Sequence, residues 1–321
     1  MKIAGSIAFW SLCGLLAPAN ARPSGDLSRF TYSEYHMGVD ARIVVYASSE
    51  SQAQRACAAA FQRIADLDSI MSDYRKDSEL MRLCDGAGGP SVRVSKDLFA
   101  VLRRSREVSE RSGGAFDITV GPLVGLWRKA RRSAAMPTPD ELEAARSLVG
   151  WQMLELDSRA QTVRLGKPGM RLDLGGIAKG YACDEAQKVL KRNGIDRALV
   201  EMGGDIVLSK APPETKGWTI RVPSAGKDLP FSNCAVSTSG DSAQSVVIDG
   251  VRYSHVVDPR TGTALTNRVE VTVVARDGLT SDPLSTALTV LGEGERARML
   301  RYYRGTRATM RTLPLSTPAG G

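Results

Sequence analysis

The chain has 321 residues, 42% of them hydrophobic and 24% charged, an ordinary globular composition long enough for one large domain or two small ones. Its formal charge of +8 comes from basic residues scattered in short clusters, such as Arg103-Arg104 and residues 128–132. No aromatic stripe runs between them, which argues against a nucleic-acid partner.

The first 21 residues read as a secretory signal. Lys2 supplies a positive start, residues 3–16 are mostly apolar, and Ala19-Asn20-Ala21 offers an A-x-A cleavage site. Cleavage after Ala21 predicts export to the periplasm. Trp10-Ser11-Leu12 before Cys13 is a poor lipoprotein box, so no lipid anchor is expected. Beyond Ala21 no run approaches the roughly 18 apolar residues of a membrane span. Cys57, Cys84, Cys183 and Cys234 follow without C-x-x-C spacing, so a zinc ribbon is not supported. Two disulfides or separate buried thiols both remain open.

Residues 35–47, with Ile43, Val44 and Val45, predict a strand, and 51–71 predict a helix with Ala56, Ala60, Ile64 and Leu67 on one face. Further helices are predicted at 97–112, 138–149 and 178–193, the last stopped by Gly194. Strands are expected at 197–200, 205–209, 218–222, 235–239, 245–248 and 269–274, then helices at 283–291 and 295–301. Residues 312–321 are expected to form a disordered tail. This irregular alternation, with strands spaced for hairpins, predicts an α+β fold rather than a doubly wound sheet.

Two tempting motifs fail. Gly175 to Gly180 is not a P-loop, because Lys179 precedes the second glycine and no Ser or Thr follows. Ser242 is followed by Ala243, which argues against a serine hydrolase using His255 and Asp258. At 171–181 a strand-like Leu172-Asp173-Leu174 runs through two glycines into a helix, a junction that exposes backbone N–H groups to a phosphate. Lys179 there either meets an anionic ligand or is simply solvated. Gly203-Gly204-Asp205 is a second tight turn with the same ambiguity. Asp282 and Thr286, four apart on one helix face, pair a carboxylate with a hydroxyl as a hard cation requires. Alternatively, Asp282 is only the helix N-cap, with Pro283 at the first helical position.

Taken together, these segments resemble the ApbE family of FAD:protein FMN transferases. The match runs in family order through His36-Met37-Gly38, 71–80, 114–123, 173–181, 200–207, 237–241, 253–262 and 282–292. One departure is Pro283, where the family usually carries a small residue after the aspartate. The resemblance implies a T-fold-like α+β catalytic unit over 22–311 that holds FAD and magnesium. It implies Met37, Tyr74, Ala115, Phe116 and Asp117 along the flavin and ribityl side, Asp173 and Lys179 on the nucleotide, and Val257 beside the cofactor. The implied magnesium ligands are Asp282, Thr286 and the backbone carbonyl of Gly176. His255 is the candidate base by its intrinsic pKa, and an orienting role is the alternative. The implied reaction moves FMN from FAD to a Ser or Thr hydroxyl of an exported acceptor, such as a domain of a membrane redox complex, and releases AMP. An FAD pyrophosphatase and a non-catalytic flavin carrier are the rival readings.

Overall fold

A computed structural model describes residues 27–240 and 245–313. The predicted signal and its cleavage site, Asp241-Ser242, and residues 314–321 lie outside the described residues. In chain order the described residues form strands β1 (Ser28–His36) and β2 (Val39–Ala47), helices α1 (Glu50–Met71) and α2 (Glu79–Asp85), and strand β3 (Val92–Arg93). Helices α3 (Lys96–Arg111), α4 (Gly121–Ser133) and α5 (Pro139–Arg146) come next, then β4 (Leu154–Asp157), β5 (Thr162–Leu165) and α6 (Ala178–Arg192). Strands β6 (Ala198–Met202), β7 (Asp205–Leu208), β8 (Trp218–Val222), β9 (Lys227–Phe231) and β10 (Cys234–Gly240) follow. The chain continues with β11 (Ser245–Ile248), β12 (Val251–Ser254), β13 (Val269–Ala275), α7 (Gly278–Val290), α8 (Glu293–Arg301) and β14 (Arg307–Thr312).

The backbone of the fold is a seven-stranded antiparallel sheet in the order β1-β2-β6-β7-β10-β13-β14. Period-two alternation decides what each face buries. In β2, Ile43 and Val45 join the main core with α1, α6 and α7, while Val44 faces the opposite way. There it meets Leu199, Leu208 and Val236, and the β8–β9 hairpin covers them with Trp218 and Ile220. On the helix side, α1 buries Ala56, Ala60, Ile64 and Leu67, the face read from the sequence, and Ser49 caps its start by accepting the Gln52 N–H. The fold is α+β, as expected.

Several elements differ from their predicted extents. The single strand expected at 35–47 is the second arm of a hairpin, turned at Met37-Gly38 with both residues at positive φ (49° and 78°). Helix α4 was not anticipated; it buries Leu123 and Trp127 against Ile248, Val257 and Ala264. The helix at 138–149 is shorter, 139–146, and a Thr138–Glu141 capping box opens it. Thr312, placed in the expected tail, pairs with Val269 as part of β14. The four described cysteines are free thiols, three of them buried.

The largest correction concerns α7, which begins at Gly278 rather than at 283. Asp282 is therefore not its N-cap, and Pro283 lies inside the helix. The start is set from α6 instead, where Asp184 Oδ1 and Oδ2 accept the N–H groups of Gly278 and Leu279, both at 2.8 Å. A carboxylate 94 residues away caps this helix, so no local pattern announces its beginning.

Candidate functional site

Helices α6 and α7 cross with backbone against backbone. A Cβ built on Gly180 would lie 2.3 Å from the Gly278 carbonyl oxygen and 2.7 Å from Asp282 Cβ, and one on Gly278 would lie 2.2 Å from the Gly180 oxygen. Only glycine fits on either side of this contact. The closeness lets the helices cap one another: Asp184 of α6 takes two N–H groups of α7, and Asp282 Oδ2 of α7 accepts the Gly180 N–H at 3.0 Å. Both N-terminal ends thus gain a carboxylate where unpaired donors and the helix dipole favour one.

This crossing forms one wall of a cleft of about 790 Å³. All twelve residues singled out from the sequence line that cleft, although they come from six separate stretches of chain. Met37 sits at positive φ in the β1–β2 turn, the region where a non-glycine residue is costly and strain often marks a site. Tyr74 is 71% exposed, and the Arg128 guanidinium lies over its ring, 4.8 Å from the centroid. Phe116 is buried, and its Cε2 lies 3.4 Å from where a Gly176 Cβ would stand.

Asp117 lines the cleft and also organises its own loop. Its Oδ1 accepts the Thr119 N–H and hydroxyl, and its Oδ2 accepts the Trp151 N–H at 2.8 Å. Both oxygens thus help to fold the loop that presents Ala115 and Phe116. Asp173 is also engaged: Oδ1 accepts the Gly175 N–H at 2.8 Å, and Oδ2 accepts Arg128 Nη2 at 3.1 Å. The other Arg128 terminal nitrogen donates to Asp73 at 2.7 Å. Burial, with Asp73 adding to it, pushes the Asp173 carboxyl up from the ordinary carboxylate value.

A second charged group surrounds Asp282, which is 3% exposed. Burial first and the Asp205 carboxylate second raise its pKa to about 7, against the pull of Lys179. Lys179 Nζ stands 3.3 Å from Asp205 Oδ2 and also donates to the Gly175 carbonyl. Burial alone would lower the lysine, but Asp282 and Asp205 reverse the shift and raise it. The sequence left Lys179 either to an anionic ligand or to solvent; here it lines the cleft and pairs with the Asp205 carboxylate. Asp205, Arg128 and Asp73 also line the cleft, and the sequence reading left them unassigned. Only Asp205 carried a signal, its place directly after Gly203-Gly204.

The donors near Asp282 suit a hard cation. Thr286 lies one helical turn on, and its Oγ1 is 3.0 Å from where a Gly176 Cβ would stand, so that turn abuts the hydroxyl. In the same turn, the Gly175 carbonyl accepts Lys179 and the Leu174 carbonyl accepts Ile177 and Ala178. Among the described residues no three His, Cys, Asp or Glu side chains converge on one point. One carboxylate, a hydroxyl and a turn carbonyl form the sparse all-oxygen set that leaves room for water and phosphate oxygens, as magnesium prefers.

His255 lines the cleft from the start of a loop held rigid by its neighbours. Ser254 N–H donates to the Leu265 carbonyl and Leu265 N–H to Val256, each at 2.8 Å. Asp258 accepts the backbone N–H and guanidinium of Arg260, and Trp127 Nε1 donates to the Gly262 carbonyl at 2.9 Å. The loop is thereby pinned to α4. Val257 is buried in that contact, 6% exposed.

Comparison with known proteins agrees with this arrangement. A family model described as the ApbE family matches residues 37–310. A curated FAD:protein FMN transferase of Vibrio cholerae is 35% identical over 240 residues, spanning 72% of this chain and 71% of the relative. One of Treponema pallidum is 31% identical across 94% of this chain and 91% of its own. Among solved structures, the flavin transferase ApbE from Vibrio cholerae superposes with a TM-score of 0.77 at 30% identity, covering 89% of this chain and 94% of that one. The apo form of the Pseudomonas stutzeri flavinyl transferase ApbE gives 0.77 at 28% identity, covering 88% and 90%.

Proposed function

The chain belongs to the ApbE family and is a transferase, and from that premise we propose that it moves FMN from FAD to a Ser or Thr hydroxyl of an exported acceptor protein, with magnesium, releasing AMP. The observation that carries the reading is the gathering of Asp282, Thr286 and the Gly176 turn at one wall of a cleft large enough for a dinucleotide. Asp282, Thr286 and the Gly176 carbonyl would hold the metal. Magnesium bound there neutralises pyrophosphate charge.

The remaining work falls to this chain's own residues. The acceptor oxygen forms a bond to the FMN-side phosphorus, the bond from that phosphorus to the bridging oxygen breaks, and AMP leaves with the electron pair. The hydroxyl proton passes to a base, for which His255 is positioned on the rigid 255–262 loop at the cleft. Phe116 packs beside the Gly176 turn, and Tyr74, with Arg128 over its ring, offers an aromatic surface for the isoalloxazine. Lys179 holds the Asp205 carboxylate beside Asp282, which supports a fixed position for the metal-binding group.

The test is to incubate the protein with FAD, magnesium and a candidate acceptor domain, and to measure acceptor mass and AMP together. Acceptor-bound FMN in equal amount to AMP is expected, with both abolished by chelation. AMP and free FMN with no gain in acceptor mass would replace this reading with FAD hydrolysis. Export belongs to the same proposal, since the A-x-A site after a short apolar run supports cleavage after Ala21. Intact mass of periplasmic protein beginning at Arg22 is the expected result; retention of residues 1–21 would refute it.

A further inference from the structure

Two residues that line the cleft each carry a buried polar atom without a hydrogen-bond partner. Asp68, in the last turn of α1, and Arg131, in the last turn of α4, both line the cleft. Asp68 Oδ1 and Arg131 Nη1 are buried and have no hydrogen-bond partner. One can only accept and the other can only donate. Buried polar atoms are rarely left this way unless a ligand or water completes them.

The neighbouring groups do not complete them. Arg128, one turn before Arg131, already gives its two terminal nitrogens to Asp73 and Asp173. Asp73 and Asp173 are therefore committed to a different guanidinium. Burial, and then repulsion from Arg128, disfavour the charged form of Arg131, and the Tyr74 side chain is a nearby favourable influence. Asp68 leads through the end of α1 into the segment that carries Tyr74. The two orphans thus reach the same cleft from two elements distant in sequence.

We propose that Asp68 and Arg131 are further FAD-binding residues. Asp68 Oδ1 accepts an N–H or O–H of the bound substrate, and Arg131 Nη1 donates to one of its carbonyl, ring-nitrogen or phosphate acceptors. FAD presents both kinds of group in each half: the flavin N3–H lies between two carbonyls, and the adenine amine lies beside ring nitrogens. The inference rests on FAD being the substrate of this cleft, but it assigns residues that the metal and base roles do not involve.

Titration of the full chain with FAD, followed by flavin fluorescence, tests this. Asp68→Ala and Arg131→Met should each weaken FAD binding about tenfold to a hundredfold, the range for a hydrogen bond to a charged group. Asp68→Asn and Arg131→Lys should recover part of the loss. Parallel titrations with FMN and ADP locate the contact, because only the half that meets the side chain shares the loss. Circular dichroism and melting curves confirm folding; where a truncation fails to fold, the conservative variant decides. Unchanged FAD affinity in folded variants would overturn the inference and leave water as the partner of both atoms. Wild-type protein that binds no FAD would instead overturn the substrate reading itself.

Discussion

Substitution of Asp282 by Asn separates the proposed metal role of this residue from its structural one. The side chain is isosteric, and its remaining oxygen can still accept the Gly180 N–H now bound to Oδ2 at 3.0 Å. The charge is what changes. Burial and Asp205 raise the carboxyl from 3.8 to about 7, and at about 1.4 kcal/mol per unit this is roughly 4 kcal/mol against the ionised form. A raised folded-state value means that the native state holds its proton where the unfolded chain has lost it. The penalty is therefore absent below about pH 4, grows as pH rises, and is complete above about pH 7. Without metal, Asp282→Asn should match the wild type near pH 4 and exceed it at pH 8, by at most the roughly 4 kcal/mol above, a figure that already includes the attraction of Lys179. Magnesium should narrow that gap. It would stabilise the wild type by about 2.7 kcal/mol at a hundred times its dissociation constant, and leave the variant's melting temperature unmoved. Release of AMP should fall by about two decades or more, as expected when a metal's charged ligand is lost. Thermal melts at pH 4 and pH 8, with magnesium and with chelator, combined with an AMP assay, give each quantity. Near-normal turnover of the variant at low magnesium, or an equal magnesium-induced shift in both proteins, would refute the metal assignment.

Gly180→Ala should destabilise the fold by about 1–3 kcal/mol or more and abolish activity, because its Cβ would stand 2.3 Å from a backbone oxygen and 2.7 Å from Asp282 Cβ; a wild-type urea midpoint would contradict this. Thr286→Val, which removes only a hydroxyl, should raise the magnesium concentration needed for half-maximal transfer while leaving the metal-free melting temperature within about 2 °C of the wild type, a shift below about 1 kcal/mol. An unaltered magnesium requirement would take Thr286 out of the ligand set. Asp184→Asn leaves one of two N–H groups of α7 unpaired and should cost about 1–3 kcal/mol. Because burial raises Asp184 to about 7, wild-type stability should fall as pH rises from about 4 to 7, and the variant should flatten that slope in metal-free melts.

Much of the fold could be read from local pattern, and what could not has a common cause. Helix α1 announces itself through a capping serine and apolar residues spaced three and four apart, all of them buried. The central strands are legible because their β-branched residues alternate between the two faces. Helix α7 is not, because Asp184 sets its first turn from another helix, and the proline inside it imitates a helix start. The site divides in the same way. Glycine-rich turns and the Asp282–Thr286 spacing are local and point to the cleft, whereas the partners that tune them are remote in sequence. Arg128 looked like one member of a basic cluster, yet it ties Asp73 to Asp173 across 55 and 45 residues respectively. Lys179 looked like a solvated or ligand-binding cation, yet its charge is answered from within the protein.

The distribution of those charges is itself an argument about function. Around Lys179 two buried carboxylates, Asp282 and Asp205, share one ammonium group. Around Arg128 two half-buried carboxylates, Asp73 and Asp173, share one guanidinium. Stability alone gives no reason to bury carboxylates in excess of their counter-charges, since each lost hydration shell is only partly repaid. The proposed cation beside Asp282 would supply the missing charge in the first group. In the second, Arg131 stands close enough to Arg128 for mutual repulsion, and a ligand acceptor would meet its unpaired nitrogen. The crossing of α6 and α7 then becomes intelligible. Two glycines bring the helices into backbone contact, and the reciprocal caps hold Asp282 by one oxygen. Its position is fixed by the fold, while the negative charge that the fold leaves uncompensated would be available to the proposed cation.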